Sequence, residues 1–290
     1  MNINGTTRVC GLIGNPVAHS ISPVIHNRLA GLRGDNLVYA TFKVEAGNVA
    51  AAVKGAYALD ILGLNVTVPH KQAGLDELVD IDELAAAIGA VNTLVRTEGG
   101  FKGYNTDILG LDRELSDVGI SLEDKCVVII GAGGAARAIA FLCAGKKASE
   151  IYIMNRTLEK AQNIADAVNE YAKKDIAKAA GISECGSFDK KDYIVIQTTS
   201  VGLHPHDDET AVTADEFYEN AAAGVDIIYN PYETMFMKLM KKHGKPAYNG
   251  LKMLLYQGVA AYELWNDCKI SSDMADIIYE DMKKELGISE

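Results

Sequence analysis

Apolar positions along the chain fall into two rhythms. Short runs rich in β-branched residues alternate with longer stretches whose apolar residues recur at helical spacing. Runs at 8–13, 37–43 and 62–68 predict strands, and stretches at 23–32, 47–59 and 82–88 predict helices. Segments 90–95 and 101–104 predict a hairpin turning on Glu98-Gly99-Gly100. Strands alternating with helices predict a mostly parallel sheet covered by helices. A connecting helix is predicted over 108–118. A second set then begins, with a strand at 126–130, a helix at 135–144, and strands at 150–154, 193–197 and 224–228. Pro246 and Asn249-Gly250 mark a break, after which 251–265 and 273–286 read as helices. The pattern predicts an α/β protein of two α/β domains.

Bulk properties narrow the function without naming it. A chain of 290 residues, 48% hydrophobic and 23% charged, suits two soluble domains. A net charge of −11 argues against a nucleic-acid partner, which needs a basic surface. An anionic small molecule remains open, because one pocket can be positive on an acidic protein. The pairs Lys146-Lys147, Lys173-Lys174 and Lys241-Lys242 read as solvated helix ends. The five cysteines are scattered with no C-x-x-C, so neither a disulfide framework nor a metal site is expected. Cys126 and Cys143 read as small core residues. The N-terminus lacks the signature of a signal peptide. No apolar run reaches the ~18 residues of a membrane span. A cytoplasmic protein without a membrane partner is the expectation.

The strand at 126–130 runs into Gly131-Ala132-Gly133-Gly134-Ala135-Ala136. Gly131, Gly133 and Ala136 fit the G-x-G-x-x-G/A turn, in which the backbone bends tightly to bring a pyrophosphate onto a helix N-terminus. An NAD site places Asp or Glu at the end of the next strand, against the ribose 2′-hydroxyl. This chain has Asn155-Arg156 there. A guanidinium binds a 2′-phosphate that a carboxylate would repel, so the motif predicts a dinucleotide site favouring NADP. A tight strand-to-helix turn without a ligand is the plainer alternative.

Several polar residues gather at predicted strand ends. Ser20 and Ser22 share one side of an extended segment, and Ser22 is expected to cap a helix beginning at Pro23. In Asn65-Val66-Thr67-Val68-Pro69-His70-Lys71, Asn65 and Thr67 face one way. That suggests a polar pocket at a strand C-terminus, where open α/β sheets bind ligands; a half-exposed edge strand with a surface Lys fits equally. Asn92-Thr93 and Asn105-Thr106-Asp107 add polar groups at other strand ends, although Asp107 could merely cap the helix that follows. A Lys and an Asp converging on one pocket would form a proton-transfer pair. Hydride transfer to a ketone needs such a donor for the developing alkoxide. Gln257, on an apolar helix, reads as a core or interface residue, and His204-x-His206 as a solvated loop.

The segments Ser20-Ile21-Ser22-Pro23, Asn65 to Lys71, Gly89-Ala90-Val91-Asn92-Thr93, Gly103-Tyr104-Asn105-Thr106-Asp107, the glycine turn, Asn155-Arg156-Thr157 and Gly250 to Gln257 together resemble the shikimate dehydrogenase family. They stand in family order and span nearly the whole chain. The resemblance implies reversible reduction of 3-dehydroshikimate to shikimate with NADPH, in aromatic amino-acid biosynthesis. It implies a substrate-binding α/β domain with a mostly parallel sheet (residues 1–107 and 251–290) and a Rossmann NADP-binding domain (residues 108–250), flanking a cleft. Lys71 and Asp107 would be the catalytic pair. Ser20 and Ser22 would hold the substrate carboxylate, and Thr67, Asn92, Asp107, Tyr229 and Gln257 its ring hydroxyls. Gly131, Ala132, Gly133, Gly134 and Ala135 would cradle the pyrophosphate. Asn155, Arg156 and Thr157 would take the adenosine phosphate, and Ile227 and Gly250 would lie by the nicotinamide. Asn65 would support the site from behind. The small-molecule substrate would be the only partner of a monomer or homodimer.

Three positions depart from the family pattern. Gln197 stands where Asn is frequent, Lys160 follows Glu159 where NADP forms commonly carry a second Arg, and Lys252 replaces a small residue beside the nicotinamide. These bear on cofactor preference. An NAD-linked quinate/shikimate dehydrogenase is the nearest rival, but such enzymes put an acid just after the strand-end Arg, where Thr157 stands here. A non-catalytic dinucleotide-binding sensor would be favoured by loss of Lys71 or Asp107; both are present.

Overall fold

The computed structural model describes residues 3–71 and 75–288. The chain divides into two units, Met1–Gly110 with Leu254–Glu290, and Leu111–Met253. In the first unit the elements are β1 (Arg8–Gly14), α1 (Ser22–Arg33), β2 (Leu37–Lys43), α2 (Val49–Ala58), β3 (Gly63–Val66), β4 (Asp80–Ile81), α3 (Glu83–Ile88), β5 (Thr93–Thr97) and β6 (Gly100–Tyr104). They build a six-stranded sheet in the order β2-β1-β3-β5-β6-β4. β1 pairs parallel with β2 and β3, and β4 parallel with β6, while β5 runs antiparallel to both β3 and β6. The sheet is therefore mostly parallel, with the expected hairpin built into it.

β3 lies between β1 and β5 and is buried along its whole length. This removes the edge-strand alternative for Asn65. A central strand buries both faces, so a polar residue on it must find partners inside the protein. The core on one face of this sheet includes Ile13, Val53, Leu64, Val66, Leu94 and Phe101.

Two helices return to the first unit. α9 (Leu251–Asn266) begins in the second unit and belongs to the first from Leu254 onward, followed by α10 (Ser272–Glu285). Trp265 of α9 donates through Nε1 to the Leu94 carbonyl at 2.9 Å. A Cβ at Gly63 would lie 2.1 Å from that same nitrogen, so the indole packs where β3 has no side chain.

The second unit holds most of α4 (Asp107–Asp117), then β7 (Cys126–Ile130), α5 (Gly134–Gly145), β8 (Glu150–Asn155), α6 (Leu158–Ala172), β9 (Ala177–Gly181), β10 (Tyr193–Gln197), α7 (Asp215–Asn220), β11 (Ala221–Asp226), α8 (Met235–Lys242) and β12 (Ala247–Asn249). Its sheet is wholly parallel in the order β12-β11-β10-β7-β8-β9. That is the doubly wound dinucleotide-binding order, with its switch point between β7 and β10. β7 is buried almost throughout, as its β-branched composition predicts, and Cys143 lies in the core while Cys126 is partly buried.

Local expectations needed correction in places. Ser22 does not cap α1: it is the first residue of the helix, and the cap position is Ile21, which makes no side-chain cap bond. The Ser20 hydroxyl instead accepts the Ser22 amide at 3.2 Å, which starts the turn one residue earlier than the Pro23 rule implies. The strand expected at 224–228 runs Ala221–Asp226.

Candidate active site

Lys71 lies just beyond β3 in a tightly tied turn. The Thr67 amide bonds the Ile13 carbonyl, the His70 amide bonds the Thr67 carbonyl, and the Lys71 carbonyl accepts the Val91 amide at 2.9 Å. His70 Nε2 lies 2.7 Å from the Val44 carbonyl and pins the turn from below. Gly14 makes room, because a Cβ there would stand 2.3 Å from the Thr67 methyl. The turn thus carries Thr67 and Lys71 on a rigid frame.

Asp107 opens α4, where the Asn105 side chain accepts its amide at 3.2 Å. Its carboxylate does not cap the helix. One oxygen, Oδ2, receives Lys71 Nζ at 2.5 Å, and the other, Oδ1, receives the Asn92 amide nitrogen at 2.8 Å. Asn92 is itself fixed, its Oδ1 accepting the Thr106 amide at 2.7 Å and the hydroxyls of Thr93 and Thr106. The ammonium and the carboxylate stay partly open, with side chains 32% and 17% exposed. A partly exposed ammonium held by a carboxylate that is held in turn is equipped to pass a proton to or from a substrate oxygen. Asn65, a buried support, accepts the Tyr39 hydroxyl at 2.8 Å and donates to Thr93 Oγ1 at 3.1 Å.

The first unit therefore brings Lys71, Asp107 and Asn92 into direct contact, joins Ser20 to Ser22, and sets Thr67 four residues before Lys71 on the same turn. Gln257 is buried on α9 with its amide nitrogen on the Leu254 carbonyl. Tyr229 belongs to the second unit, just beyond β11, where burial raises its phenol above the ordinary value.

In the second unit, Gly131 adopts φ +112° and packs under the loop after β10, with a Cβ only 2.5 Å from Thr198 Oγ1. Gly133 is the cap residue of α5, and no acidic residue stands in that helix's first turn. Cβ positions on Gly133 and Gly134 meet nothing within 4 Å, leaving open space at the helix N-terminus. Arg156 and Thr157 are exposed beyond β8, and Asn155 donates to the Thr157 carbonyl at 2.9 Å. Amide donors at a helix end, room for an anion and a cation at the next strand end fit a dinucleotide bearing a 2′-phosphate.

Gln197 is used internally. Its Oε1 accepts the Thr199 amide at 2.6 Å, and its Nε2 reaches the carbonyls of Thr199 and Val201 and the Asp226 carboxylate at 3.3 Å. Asp226 also binds Thr234 Oγ1 at 2.7 Å and the Ile228 amide at 3.0 Å, which places the segment carrying Ile227. Burial raises Asp226 to about 6, against the pull of these donors. Gly250 sits against that segment so closely that a Cβ would be 2.1 Å from the Ile227 carbonyl oxygen. Lys252 pairs with Asp117, and Lys160 is exposed in the first turn of α6. Sequence reasoning missed Asp226, whose isolated position in an apolar strand carried no motif. His204 and His206 lie exposed beside Asp207 and Glu209, as the loop reading expected.

Comparison with known proteins gives a consistent result. A model of the shikimate dehydrogenase substrate binding domain matches residues 12–94, and a model of shikimate / quinate 5-dehydrogenase matches residues 114–204. The shikimate dehydrogenase (NADP(+)) of Methanothermobacter thermautotrophicus is 42% identical over 263 residues, which cover 91% of this chain and 92% of that protein. A crystal structure of a shikimate dehydrogenase in complex with NADP+ superposes with a TM-score of 0.89 at 38% identity, covering 100% of this chain and 98% of the other. The shikimate 5-dehydrogenase of Listeria monocytogenes, in complex with shikimate and NAD, gives a TM-score of 0.90 at 31% identity, covering 97% and 98%.

Proposed function

The chain belongs to the shikimate dehydrogenase family, and from that premise we propose that it catalyses the reversible, NADPH-dependent reduction of 3-dehydroshikimate to shikimate, a step of aromatic amino-acid biosynthesis. The observation that carries this reading is the Lys71–Asp107–Asn92 cluster, an ammonium held at 2.5 Å by a carboxylate that is oriented at 2.8 Å by an amide. Relatives named as NADP-linked shikimate dehydrogenases support the same reaction.

The first unit supplies substrate binding. Hydroxyls of Ser20 and Ser22 suit a carboxylate, Thr67, Asn92 and Gln257 suit ring hydroxyls, and Tyr229 of the second unit suits a further one. The second unit holds NADP, with Gly131, Ala132, Gly133, Gly134 and Ala135 at the pyrophosphate, Asn155, Arg156 and Thr157 at the 2′-phosphate, and Ile227 and Gly250 by the nicotinamide. When bound, the reduced cofactor supplies the hydride. Lys71 then gives its proton to the ketone oxygen as negative charge develops there, and in the oxidative direction takes it back from the alcohol. Asp107 keeps the ammonium aimed, and Asn92 keeps Asp107 from swinging away. The substrate is the partner required for activity. The unpaired cysteines suit the reducing cytoplasm.

Cofactor choice is tested at Arg156. Replacing it by Ala should raise KM for NADP by more than tenfold while NAD is nearly unaffected, because only NADP carries the phosphate the guanidinium binds. Equal losses for both would remove Arg156 from that role.

A further inference from the structure

Three neighbouring strands of the second unit end in polar residues at one level of the sheet. In the parallel register Ile130 of β7 stands opposite Gln197 of β10, Gln197 opposite Asp226 of β11, and Asp226 opposite Asn249 of β12. Ile130, Asp226 and Asn249 each run directly into a residue proposed to contact the cofactor, namely Gly131, Ile227 and Gly250. A parallel sheet covered on both faces calls for apolar residues here. Gln197, Asp226 and Asn249 are nonetheless buried, so each needs partners inside the protein.

The Asp226 carboxylate is the centre of this row. Oδ1 accepts the Ile228 amide at 3.0 Å and Gln197 Nε2 at 3.3 Å, and Oδ2 accepts the Thr234 hydroxyl at 2.7 Å. Burial raises Asp226 to about 6, which leaves it ionised at neutral pH. An ionised carboxylate only accepts, so the direction of all three bonds is fixed. Thr234 also accepts the Met237 amide at 3.3 Å as the cap of α8. Residues 227–233 therefore leave from and return to one carboxylate. That loop carries Ile227 and Tyr229. Asn249 braces it from β12, donating to the Tyr232 carbonyl at 2.8 Å and accepting the Leu251 amide at 3.0 Å. On the other side, Gln197 accepts the Thr199 amide at 2.6 Å, and Thr198 bonds the Ile130 carbonyl through its amide at 2.9 Å and its hydroxyl at 2.7 Å. One buried node thus joins the loop bearing Ile227 and Tyr229 to the strand end that opens the glycine turn.

We propose that Asp226 is a positioning residue that clasps the 227–233 loop and, with Gln197, holds the nicotinamide end of the cofactor site in register with the pyrophosphate turn. The proposal rests on Ile227 and Tyr229 facing the nicotinamide and the substrate, as the proposed function has them. Fully buried, Asp226 reaches neither ligand and acts by fixing where the loop lies.

Asp226→Asn keeps the shape of the side chain but must turn an NH2 group toward one of three donors. Thr234→Val removes a single bond to the same carboxylate and Thr234→Ser keeps it, so the test stands even if Asp226→Asn folds poorly. Hydrogen exchange on the full chain without cofactor should quicken over 227–234 in Asp226→Asn and Thr234→Val, and stay at the wild-type rate over β7 and α5. Calorimetry should give both variants an affinity within about twofold of wild type for 2′-phospho-ADP-ribose, which is NADP without its nicotinamide, because the glycine turn and Arg156 are untouched. In the same two variants kcat should fall about tenfold, the cost expected when buried polar groups lose a charged partner, and Thr234→Ser should stay near wild type. Wild-type kcat in both variants, unchanged exchange over the loop, a large loss of affinity for 2′-phospho-ADP-ribose, or Thr234→Ser as slow as Thr234→Val would each overturn the proposal. A wild-type chain that turns over no shikimate with NADP would refute the reaction beneath it, whereas an active wild type with equally active variants refutes the positioning role alone.

Discussion

At the residue scale, the proposed chemistry depends on one ammonium, the carboxylate that holds it and the amide that holds the carboxylate. Lys71→Ala should reduce kcat by ~10²–10⁴, the usual share of proton transfer in catalysis, with a smaller effect on KM for shikimate. Steady-state kinetics in the oxidative direction check this, and an unchanged kcat would remove Lys71 from proton transfer. Much of this cluster was legible in the sequence, because Asn65, Thr67, Lys71, Asn92 and Asp107 all lie at strand ends where apolar runs give way to polar residues. Tyr39 and Asp226 were not. A tyrosine in an alternating strand reads as an apolar core residue, and only the fold shows that its hydroxyl meets Asn65. Likewise the Ser22 cap rested on the Ser-Pro pair alone, whereas the bond that forms runs from the Ser22 amide to the Ser20 hydroxyl.

At the element scale, β7, its glycine turn, α5 and β8 were legible together because each is long enough to show its own period and the turn demands glycine. Weaker elements escaped. β4 has two residues and exists only by pairing with β6, and β9, with sequence Ala-Lys-Ala-Ala-Gly, has no β-branched residue. β11 starts three residues earlier than its apolar signal because Ala221-Ala222-Ala223 carries no strand preference of its own. α6 and α8 went unread behind the dominant glycine motif. A prediction at this scale concerns the packing of α9 on the first sheet. Gly63→Ala should destabilise the protein by about 1–3 kcal/mol, because the new methyl must displace the Trp265 indole that bonds Leu94. Denaturant unfolding measures it, and an unchanged midpoint would show that the indole yields at no cost.

At the scale of the whole molecule, stability should fall as pH rises through neutrality. Glu114 on α4 is buried, with one carboxyl oxygen lacking a hydrogen-bond partner, and burial pushes it from 4.5 to about 8 against the pull of Lys252 and the Met253 amide. Between these values the folded chain keeps a proton that the unfolded chain has released. Stability from this group is therefore present at acid pH and is lost as pH climbs from about 4.5 to about 8, at no more than about 1.4 kcal/mol per unit. Asp226, raised to about 6, adds the same sign lower in the range. Glu114→Gln cannot ionise, so its melting temperature should decline less between pH 5.5 and 8 than that of the wild type. Parallel declines would show that Glu114 is ionised in the folded state.

The proposed reaction needs a matched pair of specificities, one for shikimate and one for NADP. The most direct test follows absorbance at the reduced-nicotinamide band with shikimate or quinate and NADP or NAD in all four pairings. Turnover dominated by shikimate with NADP is the predicted result. Comparable kcat/KM with quinate or NAD, or dinucleotide binding with no turnover in any pairing, would contradict it.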